Sequence, residues 1–169
     1  MSINNIKYII TLCIILIAPY CYSQHLNFQD LQILYNGNTD ENSTILYDRG
    51  FVYSNSKKNP DKSEQITWMF KKPDSNSLNE YFFKNCSSLF SNKCEKIIYT
   101  TSSEKHFISL KKSMQTGINK YLTSKTNENG VLSLYYMIPG PLIAKFSTIP
   151  LNPRVFSVEL EFMEITDSK

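Results

Sequence analysis

The residues best suited to acid–base or metal chemistry in this sequence are its histidines. Histidine is the commonest general base and metal ligand, because its charge changes near neutral pH. The chain has two, His25 and His106, and neither belongs to a His-x-x-x-His, Cys-x-x-Cys or similar cluster, so no metal site is predicted. His25 is expected to be mobile near the start of the working chain. His106 is interpreted as a half-exposed residue in the first turns of a helix rather than as a base.

Two pairs of acids have spacings compatible with carboxylate catalysis. Asp40 and Glu41 are explained more simply as the first turn of a helix, where anionic side chains stabilise the helix dipole. Glu159 and Glu161 share one face of a predicted strand, about 7 Å apart by the two-residue rise. That spacing fits a solvated strand face as well as a glycosidase site.

Other catalytic signatures are missing from the sequence. It has no Gly-x-Ser-x-Gly elbow, and its five glycines are isolated, so neither a serine hydrolase nor a phosphate-binding loop is indicated. The sequence therefore predicts no catalytic residue and no cofactor, and it favours a protein that is not an enzyme.

Aromatic residues are the remaining group that could form a site. The chain has 11 Tyr, 10 Phe and one Trp, and exposed Tyr and Trp are typical anchors of protein interfaces. Core packing is the commoner use of any one of them, but their number on predicted strands indicates an aromatic sheet surface. The candidate binding residues are Trp68, Tyr99, Tyr121, Tyr135 and Tyr136.

Two helices are predicted to position these residues. Each ends in a glycine, a common residue just after a helix: the segment 40–49 precedes Gly50, and a second segment precedes Gly117. The second helix begins with a capping-box pattern at 101–104, and its apolar residues from Phe107 onward share one helical face.

Strands are predicted where apolar and polar residues alternate or where Pro and Gly interrupt the chain. In the last of them the alternation predicts one buried face and one solvated face, and the solvated face includes Glu159. The predicted strands are 65–70, 131–138, 142–149 and 155–163.

The segment 77–91 fits two structures. A capping-box match and an apolar stripe indicate a helix, whereas a strand at 78–85 would pair with 96–101 in a hairpin closed by Cys86 and Cys94. The hairpin is preferred because it completes two matching units. The predicted fold is then α+β, with two tandem helix-plus-four-strand units at about 39–101 and 102–163 and the helices packed on antiparallel sheet.

Cys86 and Cys94 are the only cysteines after residue 23. Redox pairs usually occur as Cys-x-x-Cys, but seven residues separate these two. A structural disulfide is therefore predicted, worth about 2.5 kcal/mol by chain-entropy arguments for so short a loop.

The first 23 residues fit a cleavable signal peptide. Lys7 precedes a short apolar run that ends at Pro19, and Ser23 is a small residue at the best cleavage position. The run is shorter than the ~20 apolar residues that a membrane span needs, which favours a signal peptide over the alternative, an N-terminal membrane anchor. No stable membrane span is predicted after cleavage. The working protein is then a single exported domain, 24–169, in the periplasm or outside the cell.

A resemblance supports this compartment. The run Tyr99-Thr-Thr-Ser-Ser103, with Phe107, Leu110-Lys111 and Gly117 after it, resembles a recurring stretch in small uncharacterised secreted bacterial proteins, whose signal peptides end in Ser-Gln as here at Ser23-Gln24. The resemblance implies a common fold and compartment, and it implies nothing about chemistry. The tandem helix-on-sheet layout also resembles that of secreted β-lactamase-inhibitory proteins, at the level of architecture alone.

Charge and composition narrow the class of partner. After residue 23 the chain has 17 Lys and Arg against 15 Asp and Glu, and only Arg49 and Arg154 are arginine. So balanced a composition does not indicate the concentrated basic face of a nucleic-acid-binding protein. It argues equally against a polyanionic partner. The leading hypothesis is an exported, non-catalytic domain that binds an unknown protein or cell-envelope component. A small periplasmic hydrolase that uses carboxylates and a structural envelope protein are the alternatives.

Overall fold

The structure, a computed structural model, describes residues 25–60, 63–70, 79–86, 94–116 and 118–163. The predicted signal peptide, 1–23, lies outside these ranges. Within them the chain forms a sheet covered by helices α1 (Phe28–Asn36), α2 (Thr39–Asp48) and α3 (Glu104–Gln115).

The eight strands of the described chain form one antiparallel sheet in the order β1-β2-β3-β4-β8-β7-β6-β5. β4 and β8 therefore lie side by side in the middle, and β1 and β5 are the edges. The predicted combination of helices with an antiparallel sheet is present, and the fold is mostly β. The strands are β1 (Val52–Lys58), β2 (Glu64–Phe70), β3 (Glu80–Cys86), β4 (Cys94–Thr101), β5 (Lys120–Thr126), β6 (Leu132–Ile138), β7 (Leu142–Ile149) and β8 (Val155–Phe162).

Each helix begins at a side chain that caps its free amides. Asn27 and Asp30 form a reciprocal capping box at α1, and Asn38 and Glu41 form the same arrangement at α2. At α3 the cap is Ser103, whose side chain accepts from the amide of His106, two residues later than the predicted cap. α1 was not predicted from the sequence, although Asn-x-x-Asp is a capping pattern.

A buried lysine closes the C-terminal end of α1. Lys84 on β3 is fully buried, and its Nζ donates to the carbonyl oxygen of Leu34 at 3.0 Å and to that of Gly37. Asn42 donates to the same Leu34 oxygen at 2.7 Å. These donors satisfy carbonyls that a helix leaves unpaired at its end. Burial lowers the pKa of Lys84 to about 8, although Glu41 acts in the opposite direction.

The segment 77–91 contains a strand and not a helix over its described part. β3 pairs with β4 in an antiparallel hairpin, which confirms the preferred structure. The register places Cys86 opposite Cys94. The side chain of Cys94 and the residues between the two strands lie outside the described part, so the disulfide stays a prediction.

The core lies between the helices and one face of the sheet. A row of apolar side chains crosses five neighbouring strands in register, and each of them is at most 2% exposed. Burying a side chain of this size contributes about 1.5–3 kcal/mol, so this row fixes the face on which the helices pack. The row consists of Trp68, Phe82, Tyr99, Val158 and Phe146.

The prediction that one face of β8 is solvated is wrong for the middle of the strand. Ser157 and Glu159 are each only 8% exposed, because β8 lies between β4 and β7, and lysines from both of those strands pair with Glu159. At the end of the strand, Phe162 is 56% exposed although alternation placed it on the buried face.

Candidate functional site

The sheet face opposite the core is the broadest candidate surface. α1 and α3 contact β4 and β8, and their apolar residues join the core cluster of Tyr99 and Val158. Successive side chains of a strand point to opposite faces, so Ile98 and Glu159 point away from the helices. No helix of the described chain packs on this side, which we call the open face.

A network of ion pairs occupies the centre of the open face. The Nζ atom of Lys96 lies 2.5 Å from Glu159 and 3.1 Å from Glu161, and Lys145 lies 3.3 Å from Glu159. Burial alone would lower the pKa of Lys96, but hydrogen bonds to the two glutamates outweigh it and the pKa is raised. Both glutamates are therefore held in ion pairs with lysines.

Aromatic side chains flank this network on the β3 side. Tyr81 and Phe83 are half-buried and stack with ring centroids 5.9 Å apart. Together with Lys57, Gln65 and Thr67 they line a shallow hollow near the β1 edge. The hollow combines ring faces, amides and a lysine, and aromatic rings are enriched in protein contacts.

The β6 side of the open face has a second aromatic position. Tyr135 is half-buried there, and the Nζ atom of Lys125 lies 5.9 Å from its ring centroid. Beside it Ser133 and Ser147 share a hydrogen bond of 2.8 Å. The two serine hydroxyls beside this tyrosine are thus paired with each other, and the lysine contacts its ring.

The structure divides the five candidate binding residues between core and surface. Trp68, Tyr99 and Tyr136 are at most 6% exposed and lie on the helix-covered side. Tyr121 is 50% exposed at the β5 edge, and its ring centroid lies 5.4 Å from that of Tyr136. Tyr135 alone among the five lies on the open face.

Sequence reasoning missed Tyr81 and Phe83. They alternate with Phe82 along β3, so alternation would have placed them on the face opposite the core. The competing helix pattern over the same segment hid that signal.

A buried carboxylate forms a second candidate site, on the helix-covered side. Glu80 is fully buried. It accepts hydrogen bonds from the hydroxyl of Tyr99 and, at 2.9 Å, from that of Thr101. The Nδ1 atom of His25 lies 3.2 Å from one of its oxygens. Burial and the Glu80 charge raise the pKa of Tyr99 well above its ordinary value, so this phenol stays a donor.

The two histidines meet at this carboxylate. The rings of His25 and His106 stack with centroids 4.3 Å apart, and the ring of Tyr99 meets His106 edge-on at 5.8 Å. His25 was expected to be mobile, but it contacts Glu80. No local pattern could have paired two histidines 81 positions apart in the sequence. We call Glu80, Tyr99, Thr101, His25 and His106 the Glu80 cluster.

A metal site and a membrane-spanning helix are both absent from the described ranges. No group of three or more His, Cys, Asp or Glu residues there is arranged to hold a metal ion. In the same ranges, no helix has the length and apolar character to cross a membrane.

Comparison of the chain with models of protein families, with curated proteins and with solved structures finds no match.

Proposed function

We propose that the chain is an exported, non-catalytic binding domain that docks a partner protein on the open face. The observation that carries this proposal is the one-sided cover of the sheet: the described helices pack on one face, and the other presents half-buried aromatic and aliphatic side chains. An antiparallel sheet tolerates a solvated face, but such a face is ordinarily polar. Side chains such as Phe83, Ile98 and Tyr135 gain more from a partner than from water.

The finer architecture belongs to the same proposal. We propose two tandem units, about 39–101 and 102–163, each a helix followed by a four-stranded meander. In support, α2 precedes β1–β4 and α3 precedes β5–β8. Each edge strand also shifts register after a tyrosine, at Tyr53 and at Tyr121. A repeat would explain how a single broad face is built from two smaller ones.

Export and the disulfide are part of the proposal as well. The predicted signal peptide, with cleavage after Ser23, directs the domain to the periplasm or outside the cell, where disulfides persist. The opposed positions of Cys86 and Cys94 support a bond between them. The intact mass without a reductant is expected to be lower by two hydrogen atoms than after reduction, and equal masses would refute the bond.

The test of the binding function compares two double variants that differ in the face they alter. Tagged 24–169 is used to capture partners from an envelope extract, beside a Phe83→Ala/Tyr135→Ala variant of the open face and an Ile33→Ala/Ile108→Ala variant of exposed helix residues. We expect one protein to bind the parent and the helix variant and to be lost with the open-face variant. The purified partner should then rebind in the same order. A partner retained by the open-face variant would reject this face.

The Glu80 cluster favours a second candidate function, a small hydrolase. A buried carboxylate that orients a partly exposed imidazole is a common arrangement around a general base, and His25 has that position beside Glu80. Turnover of an envelope substrate that disappears in His25→Gln and persists in Phe83→Ala/Tyr135→Ala would establish the hydrolase instead of the binding domain.

A further inference from the structure

We infer that the partner of the open face is a protein whose contacting surface is acidic, with aspartate or glutamate beside apolar side chains. The inference rests on the proposed function and deepens it, because it names the chemistry that the open face recognises.

The first support is the concentration of positive charge on this face. Strand register and alternation place five lysines and two glutamates on it. The whole chain has a formal net charge of only +3, which conceals this distribution, and acids such as Asp40, Glu41 and Asp48 lie on α2 instead. The lysines are Lys57, Lys96, Lys120, Lys125 and Lys145, and the glutamates are Glu159 and Glu161.

The second support is where the charge lies within the face. Lys96 and Lys145 are held by the two glutamates at the centre. Lys57 on β1 and Lys120 and Lys125 on β5 form no ion pair with the residues that the structure describes, and both strands are exposed along their length. The uncompensated charge is therefore at the two rims, on either side of a centre that is electrically balanced.

Apolar side chains between these rims favour a protein over a charged polymer. Tyr81, Phe83, Ile98, Ile143 and Tyr135 are all half-buried on the face, and such groups supply the central contacts of a protein interface. A polyanion requires a continuous basic stripe. In addition, all five cations are lysines, which lack the forked donors that arginine offers to phosphate.

Charges at a rim act mainly on the rate of association. They steer an oppositely charged partner towards the face, an effect that salt screens, whereas the central contacts set the dissociation rate. We therefore expect association with the partner to slow as salt rises while dissociation changes little.

The experiment selects ligands for the open face from a random library. Random peptides displayed on phage are selected against 24–169. Binding rates of the selected peptides are then measured on the parent, on a Lys57→Gln/Lys120→Gln/Lys125→Gln rim variant, and on a control that loses as many lysines from α3, Lys105→Gln/Lys111→Gln/Lys112→Gln. The Phe83→Ala/Tyr135→Ala variant reports whether a peptide uses the open face, and soluble polyphosphate serves as a competing polyanion.

We expect the selected peptides to be enriched in Asp and Glu next to apolar residues. At low salt they should associate at least about tenfold more slowly with the rim variant than with the parent or the α3 control. Peptides that use the open face but show no acidic enrichment, or that bind the rim variant equally fast, would overturn the acidic partner and leave the binding function standing. If polyphosphate displaces the peptides and binds as tightly as they do, the acidic protein partner is also overturned, and a polyanion takes its place. Absence of any peptide that depends on Phe83 and Tyr135 would overturn both.

Discussion

At the scale of single residues, the helix-covered side is distinguished by two ionisable groups buried in the core. Lys84 and Glu80 both lie on β3, on the side that packs against the helices, and both are fully buried. Each is surrounded by partners of the opposite polarity: carbonyl oxygens for the ammonium group, hydroxyl groups for the carboxylate. A buried charge is tolerated only when it is paired in this way.

The lowered pKa of Lys84 predicts a pH-dependent stability. The ordinary pKa is 10.5 and the folded value about 8. Between these values the unfolded chain keeps a proton that the folded chain has lost, so the free energy of unfolding should rise with pH across this window. Denaturant unfolding of the parent and of Lys84→Met at pH 7 and pH 9.5 measures the effect. The parent should gain stability relative to the variant at the higher pH, and parallel curves would contradict the prediction.

The hydrogen bond from Tyr99 to Glu80 predicts a large effect from the loss of one oxygen atom. Tyr99→Phe should lower the free energy of unfolding by about 1.5–3 kcal/mol, since the lost hydrogen bond is buried and its acceptor is charged. Tyr121→Phe is the matched control, because that tyrosine is half-exposed at the sheet edge, and it should change stability by less than about 0.5 kcal/mol. Equal effects in urea unfolding would mean that the Tyr99 hydroxyl contributes nothing.

At the scale of elements, local sequence patterns predicted the individual helices and strands better than they predicted which elements lie next to each other. The strands at 65–70 and 142–149 and the helix before Gly50 follow from alternation, chain breaks and glycine position, and all three are present. The burial of Glu159 did not follow from its own strand, since it depends on β8 lying between β4 and β7. The Glu80 cluster is non-local for the same reason, because three elements and the residues before α1 meet in it.

The end of α2 provides a test at this scale. Gly50 has φ +83, and a Cβ atom added there would lie 3.1 Å from the ring of Phe70. Gly140 has a similar φ of +88 with nothing within 4 Å, so it serves as a control for backbone strain alone. Both alanine variants should lose about 1–2 kcal/mol from the left-handed backbone, and Gly50→Ala should lose more because Phe70 must move. Equal losses in thermal unfolding would show that the core absorbs the methyl group without cost.

At the scale of the whole molecule, the β4–β8 pair joins the two halves of the sheet. It is a full antiparallel ladder, with six residue pairs from Lys96 opposite Glu161 to Thr101 opposite Phe156. The core row from Trp68 to Phe146 continues across the same junction without interruption. The halves therefore share one core, and neither half alone could cover the strand, β4 or β8, that it contributes to the centre of the sheet.

This shared core predicts a single cooperative unfolding transition. Trp68 is the one tryptophan of the chain and lies in the first half, so its fluorescence reports on that half while far-ultraviolet circular dichroism reports on the whole. The two signals should give coincident midpoints. A fluorescence transition that precedes or follows the dichroism transition would indicate halves that unfold separately.

The register shifts on the two outer strands have a consequence for the behaviour of the protein at high concentration. An outer strand with unpaired amides and carbonyls is a template on which further chains can add and grow into filaments. β1 and β5 are both interrupted by a shift, at Tyr53/Asn55 and at Tyr121/Thr123, and both carry lysines. A strand of a second molecule that aligned with β1 or β5 would fall out of hydrogen-bond register within a few residues, and its own lysines would be repelled by those already there. Both routes to filament growth are thereby obstructed, and concentrated solutions of the protein should stay free of fibres.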